Sequence, residues 1–404
     1  TIDGGNILTN NGNITLNLAS GGLTATGMIT GNILNVTANT TSSLNTNITT
    51  LVALINDSGE SLTVNETNSL IIGSGNVTTN DGNISINLAT GSLAVTGAIN
   101  AGIAGNVSLN TSLGGISGAG LITGNVLSVL AQNSVTVNTA IGSVTANLTF
   151  AGSSLIVNEA DDLTIDGGNI LTNNGNITLN LASGGLTAFG TITGNILNVT
   201  ANTTSSLNTN ITTLEALIND SGESLTVNET NSLVIGSGNV TTNDGNISIN
   251  LATGSLAVTG AINAGIAGNV SLNTSLGGIS GTGLITGDLL SVLAQNSVTV
   301  NTAIGSVTAN LTFAGSSLIV NEADDLTIDG GNILTNNGNI TLNLASGGLT
   351  AVGTITGNVL NVTANTTSSL NTNITSLVAK IQNNLASLSV QEASSLDIGS
   401  GNVT

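Results

Sequence analysis

The chain has no proline, cysteine, histidine, arginine, tryptophan or tyrosine, and its 404 residues include three Phe, one Met and a single Lys, Lys380. Each absence removes a class of function. Without Cys there is no disulfide framework and no thiolate metal site. With neither His nor Cys, and no Gly-x-Ser-x-Gly turn, nucleophilic catalysis has no base. Carboxylates also lack the aromatic platform or cation that would hold a sugar beside them. We therefore expect no enzyme. One cation against 21 carboxylates, a net charge of −20, argues against nucleic acid, whose phosphates are held through Lys and Arg, and against anionic lipid surfaces. No apolar run approaches the roughly 18 residues of a membrane span, so no membrane insertion by this segment is expected. The charge is thinly spread, and its expected service is solubility.

What remains is 39% hydrophobic and only 5% charged, which argues against ordinary disorder. A core must be built from Leu, Ile, Val and Ala in thin layers.

Repetition supplies the plan. The stretch TIDGGNILTNNGNITLNLASGGLTA begins at Thr1 and returns at Thr164 and Thr327. Residues 1–163 and 164–326 differ at seven positions, among them Thr26 against Phe189, Met28 against Thr191 and Val52 against Glu215. This divides the chain into repeat units 1–163, 164–326 and a partial 327–404, read as one continuous solenoid. The chain starts without Met and stops in mid-repeat, so we expect a piece of something longer. Inside each unit, Ser61 to Gly97 is echoed by Ser154 to Gly190 at an offset of 93, and the return to Ser224 takes 70. Both offsets are near multiples of a 23-residue coil, giving seven coils per unit. Leu70, Leu93, Ile116, Leu163, Leu186 and Leu233 mark the coil.

Local alternation identifies the elements. In NITLNLA (Ile14, Leu16, Leu18) and NISINLA (Ile84, Ile86, Leu88) every second residue is apolar, the mark of a half-buried strand. Gly-Asn pairs such as Gly12-Asn13, Gly75-Asn76 and Gly105-Asn106 punctuate the strands, and both residues tolerate the positive φ of sharp corners. Short strands and tight corners at a fixed period specify an all-β parallel β-solenoid, or β-helix. The lack of Pro fits, since each backbone N–H is needed by a ladder. With about 4.8 Å per turn, seven turns rise roughly 33 Å. One segment departs from the pattern. Leu44, Ile48, Leu51 and Ile55, and in the third copy Leu370, Ile374, Leu377, Ile381, Leu385 and Leu388, have helical spacing. They predict one short helix per repeat, capped by Ser42 or Ser43 and ended by Gly59, against the alternative of an irregular strand and corner.

Gly-Asn corners, alternating Ile/Thr/Leu/Asn strands and a coil of some twenty residues resemble the filamentous-haemagglutinin-like exoproteins and the related β-strand-repeat surface adhesins of bacteria. The resemblance covers the whole chain. It implies a right-handed parallel β-helix displayed outside the cell, at the cell surface, as a shaft or adhesive fibre, and it brings no catalytic residues.

The densest acidic cluster is NEADDLTID, with Glu159, Asp161, Asp162 and Asp166, repeated as Glu322, Asp324, Asp325 and Asp329. Oxygen ligands gathered at a corner suit Ca²⁺; the alternative is a solvated charged corner, and no other cofactor is expected. Asn-x-Ser/Thr sequons are frequent and allow glycosylation of exposed Asn. Thr24 and Thr26 invite comparison with ice-binding faces, although Phe189 and Val352 break the row in the later copies. Two functional classes follow. The first is a structural shaft of an extracellular fibre or filament that self-associates. The second is an adhesin module with a receptor on a host or neighbouring cell. Because the copies differ by what reads as drift rather than by a chemically distinctive patch, the structural class is preferred.

Overall fold

The computed structural model describes residues 1–404, apart from the side chain of Ser400. It is an all-β, parallel β-solenoid of about 20 turns. The chain forms two compact units, Thr1–Ala201 and Asn202–Thr404.

In the first unit the chain passes alternately through two stacks of strands. Leu62–Glu66, Ile84–Leu88 and Val107–Thr111 lie in successive turns of the back stack. Leu70–Asn80, Leu93–Val95 and Ile116–Ser117 do the same in the front stack. Each of these strands pairs in parallel with those one turn before and after it, so both edges of its backbone are occupied. Two long strands, Leu121–Ala131 and Val135–Leu148, run through a corner and serve both stacks. The second unit has the same construction. Leu225–Glu229, Ile247–Leu251 and Val270–Thr274 form part of its back stack, and Leu233–Asn243, Leu256–Val258 and Ile279–Ser280 part of its front stack.

Period-two alternation fills the space between the stacks. Leu62, Val64, Ile84, Ile86 and Leu109 are fully buried, while Thr63, Asn65, Ser85, Asn87 and Ser108 face outward. Each buried aliphatic side chain contributes about 1.5–3 kcal/mol of transfer free energy. All seven differences between the first two copies fall on exposed or half-exposed positions. The repeats therefore keep an identical core and vary only outside it.

Side chains tie the corners together. Asn6 Oδ1 accepts the Met28 N–H of the next turn at 2.8 Å, as Asn76 Oδ1 accepts that of Ala98 and Asn169 Oδ1 that of Thr191. Ser69 Oγ accepts from Ser92 N–H at 3.1 Å, and Asp81 Oδ1 from Ile103 N–H at 2.9 Å. Some corner N–H groups meet a backbone carbonyl of the neighbouring turn, as Asn125 meets Gly105 O; those with no carbonyl opposite need a side-chain acceptor. The recurrent Asn, Ser and Asp of the corners supply the acceptors.

Two expectations need correction. Seven equal coils per repeat become eight unequal turns. Leu16 stacks in succession on Val36, Ala53, Val77, Ile99, Ile122, Thr139, Glu159 and Leu181. A step is as short as that from Val36 to Ala53 and as long as the next, from Ala53 to Val77. The sequence counterpart of Leu16 is Leu179, so the column arrives two residues late, an offset that leaves inward residues inward. In the second unit Leu207 likewise reaches Thr372 after eight steps, two residues past its counterpart Leu370. The internal echo is also displaced by a half turn. Leu62–Glu66 is in the back stack, whereas its echo Leu155–Glu159 pairs with Val135–Leu148 and Ile177–Leu181 in the front stack. The offset of 93 spans four and a half turns, leaving three and a half for the other 70.

The second correction concerns the helix, since no helix occurs among the described residues. Leu44 to Ile55 form the strands Ser42–Asn47 and Thr50–Ser58, and the third copy forms Ser368–Ile381. Leu44 and Thr46 point inward before the corner, and Leu51, Ala53 and Ile55 after it. The corner advances the alternation by one residue, and that slip counterfeits a helical spacing of four, three and four. Abundant β-branched Thr, Ile and Val favour the strand.

Candidate functional site

The acidic cluster is dispersed by the fold. Glu159 ends a front-stack strand and is 2% exposed. Its carboxylate accepts the Ala160 N–H at 2.8 Å and the Ile141 N–H of the preceding turn at 3.2 Å. Asp162 Oδ1 accepts the Gly185 N–H at 2.8 Å, and Asp161 is exposed at the same corner. Asp166 belongs to a protrusion of the back stack and accepts its own neighbour's N–H, that of Gly167. Glu322, Asp325 and Asp329 repeat these bonds with Ala323, Gly348 and Gly330, and Asp324 is exposed like Asp161. No group of three or more acidic side chains placed to hold a metal ion occurs among the described residues.

The inward glutamates do something the cluster reading missed. Glu66, Glu159, Glu229 and Glu322 are all buried, and each accepts the N–H of an Ile at the corner of the preceding turn: Ile48, Ile141, Ile211 and Ile304. Each carboxylate thus replaces a missing ladder partner. The signal was present in the alternation of LTVNE, where Leu62, Val64 and Glu66 share one side. Burial pushes the Glu159 carboxyl above its ordinary value, against hydrogen bonds from Thr139, Ala160 and Ile141. Glu322 is raised for the same reason. Glu60 and Glu223, at exposed corners, are lowered by hydrogen bonds from the hydroxyls and N–H groups of Thr41 and Thr204.

No protein-family model matches this chain, and neither a curated protein nor a solved structure does.

Outward rows are equally regular. Thr24, Ser43, Thr63, Ser85, Ser108, Ser128 and Thr145 stand in one file, one per turn. Beside it Asn65 Nδ2 donates to Asn45 Oδ1, and Asn87 Nδ2 to Asn65 Oδ1, both at 3.1 Å. Unequal turns hide these files from any fixed-period reading.

Charge is segregated between the two edges where the stacks meet. In the first unit the edge leading from front to back carries Asp57, Glu60, Asp81, Asp161 and Asp162. The opposite edge, with segments such as 89–92, 112–115, 132–134 and 149–154, carries no charge. Beneath it lies only the buried Glu66. The second unit repeats this as far as Leu388, with Asp220, Glu223, Asp244, Asp288, Asp324 and Asp325 on the acidic edge; its last back-to-front corner is flanked by the half-buried Glu392 and the exposed Asp397. Exposed apolar side chains are not confined to one edge: Ile103, Ile266 and Leu385 project from the acidic edge, while four in each unit lie on or next to the neutral edge. The latter are Leu113, Leu130, Phe150 and Leu171 in the first unit, and Leu276, Leu293, Phe313 and Leu334 in the second. Next to Phe313 is a groove of about 470 Å³ lined by residues that include Leu311, Thr312, Leu334 and Asn336.

Proposed function

We propose that this chain is a structural shaft segment of an extracellular cell-surface fibre or filament. The observation that carries the reading is the eight-step column traced independently in each compact unit, with sequence variation between the copies confined to the outside. A chain selected to stack has reason to keep its interior constant, and the stability of such an array grows turn by turn. Sparse charge of one sign suits a solvated shaft. A chain with no Arg and one Lys also offers trypsin-like proteases little to cut.

The test is deletion of one 163-residue copy from the full-length protein in its native host, with antibody-gold labelling of the cells. Gold along surface fibres, and a fibre shortened by about 38 Å, eight turns at roughly 4.8 Å each, is the expected result. Label confined to the cytoplasm, or a fibre of unchanged length, would overturn the proposal.

A further inference from the structure

We propose that the neutral edge is a docking surface for a second copy of this chain, the two meeting edge to edge in antiparallel fashion. The inference rests on the shaft reading and adds the surface through which shafts associate.

Charge selects the surface. Two chains of net charge −20 repel wherever carboxylates face one another, and one edge is free of exposed charge throughout the first unit and, in the second, as far as Glu392. A five-residue strand is about 17 Å long, so pairing the neutral edges over the stretches before Glu392 keeps the acidic edges of the partners well beyond the Debye length of about 8 Å at physiological salt.

Apolar chemistry supplies the attraction. Phe150 is 59% exposed at the tip of its corner, and Leu113 is 55% exposed on the same edge. Hydrogen bonds from Gln132 N–H to Gly114 O and from Phe150 N–H to Gln132 O place these residues two turns apart, about 10 Å. Leu130 and Leu171 flank Asn147 in the adjoining file. Isolated exposed apolar residues are ordinary, but a cluster recurring at the same place in each copy marks an interaction site.

A projecting aromatic beside a groove is self-complementary. In the second unit Phe313 projects next to the groove lined by Leu334 and Asn336. Under a two-fold axis, Phe313 of each copy enters the groove of the other, the isologous arrangement of closed dimers. The patch recurs in the second unit, so each unit carries its own contact.

Sedimentation velocity of the full chain, over rising concentration and at low and high salt, tests this against the double variant Phe150→Ser/Phe313→Ser. Wild type is expected to pass from monomer to dimer, more readily at high salt. The variant, with unchanged circular dichroism, is expected to associate about tenfold more weakly or less. A wild-type chain that remains monomeric throughout, or a variant that dimerises equally well, overturns the proposal. So does a monomeric chain that binds phosphatidylcholine vesicles through the same Phe residues, since the patch would then serve a lipid surface. A stiff monomer on fibres that shorten with deletion of a repeat would sink the pairing and leave the shaft standing.

Discussion

Replacing Gly175 by Ala is expected to lower stability around its corner by about 3 kcal/mol, at the upper end for an added methyl group in a packed site. The Cβ would lie 1.7 Å from the Ser153 carbonyl oxygen and 2.5 Å from its carbon, both backbone atoms of the turn before. Neither can swing aside as a long side chain would, so relief requires moving a corner that is itself tied down. Ser153 Oγ donates to Gln132 O, and Gly175 O accepts from Thr172 Oγ1 and Asn195 N–H. The strain therefore spreads to the turns on either side. Gly152→Ala is the comparison. Its φ of +79° penalises any side chain, but nothing lies within 4 Å of the added Cβ, so the cost is the backbone term alone, about 1 kcal/mol. A repeat array does not unfold in two states, so the comparison belongs to amide exchange at Leu155, Ile177 and Asn195. Equal protection in the two variants would show that the corners are not in close contact.

Replacing the buried Glu159 by Ala removes the acceptor of the Ile141 and Ala160 N–H groups, and we expect a local loss of about 2 kcal/mol. Gln retains one carbonyl acceptor and carries no charge, so at neutral pH it should cost much less. The two substitutions separate hydrogen bonding from charge, and pH separates them further. Burial raises the folded-state pKa of Glu159 above that of the unfolded chain. The stability linked to it is therefore fully present below the unfolded-state value and is lost as pH rises through the folded-state value. Wild type should accordingly become more stable at this corner between neutral pH and mild acid. Glu60 and Glu223 act in the opposite sense, since their lowered values give a contribution present above the unfolded-state pKa and lost as pH falls through the folded one. Subtracting the pH dependence of Glu159→Gln from that of wild type, in urea unfolding followed by exchange at Ile141, isolates the buried group. A difference of zero, or a wild type losing stability at this corner in acid, would refute the burial argument.

The all-β class and the parallel stacking were legible because they rest on local features; the Gly-Asn reading held only in part, since Gly12-Asn13 and Gly105-Asn106 mark corners without positive φ, while Gly75-Asn76 lies inside the strand Leu70–Asn80 with Asn76 at a φ of 66°. Alternation of Ile84, Ile86 and Leu88 states which side is buried, and no tertiary knowledge is needed to read it. Turn count was not legible. Steps as unequal as Val36 to Ala53 and Ala53 to Val77 average out over a repeat. The ladder Leu70, Leu93 and Ile116, which does stack, therefore invites an extrapolation that fails at the next step, where Val135 rather than Thr139 follows Ile116. The false helix has the same origin, because the corner at Asn47 to Thr49 slips the alternation by one residue. Glu159 is a different case. Acidic neighbours suggested an ion, while the parity of LIVNE already placed Glu159 on the side of Leu155 and Val157. Charge segregation between the edges was invisible, since it depends on which half of each unequal turn a corner occupies.

The unequal eight-turn stacking is tested most directly by disulfide formation, in a chain that has no cysteine of its own. Ser128 and Thr145 are direct partners in adjacent turns, joined by one of the short steps, and both are directed outward. Paired parallel strands lie about 4.8 Å apart, within the range of roughly 4.4–6.8 Å between Cα atoms that a disulfide requires. The double variant Ser128→Cys/Thr145→Cys should oxidise to an intramolecular disulfide. Ser128→Cys/Ala151→Cys, which has the spacing of a uniform coil, should not. The reverse outcome would contradict the register on which the whole account stands.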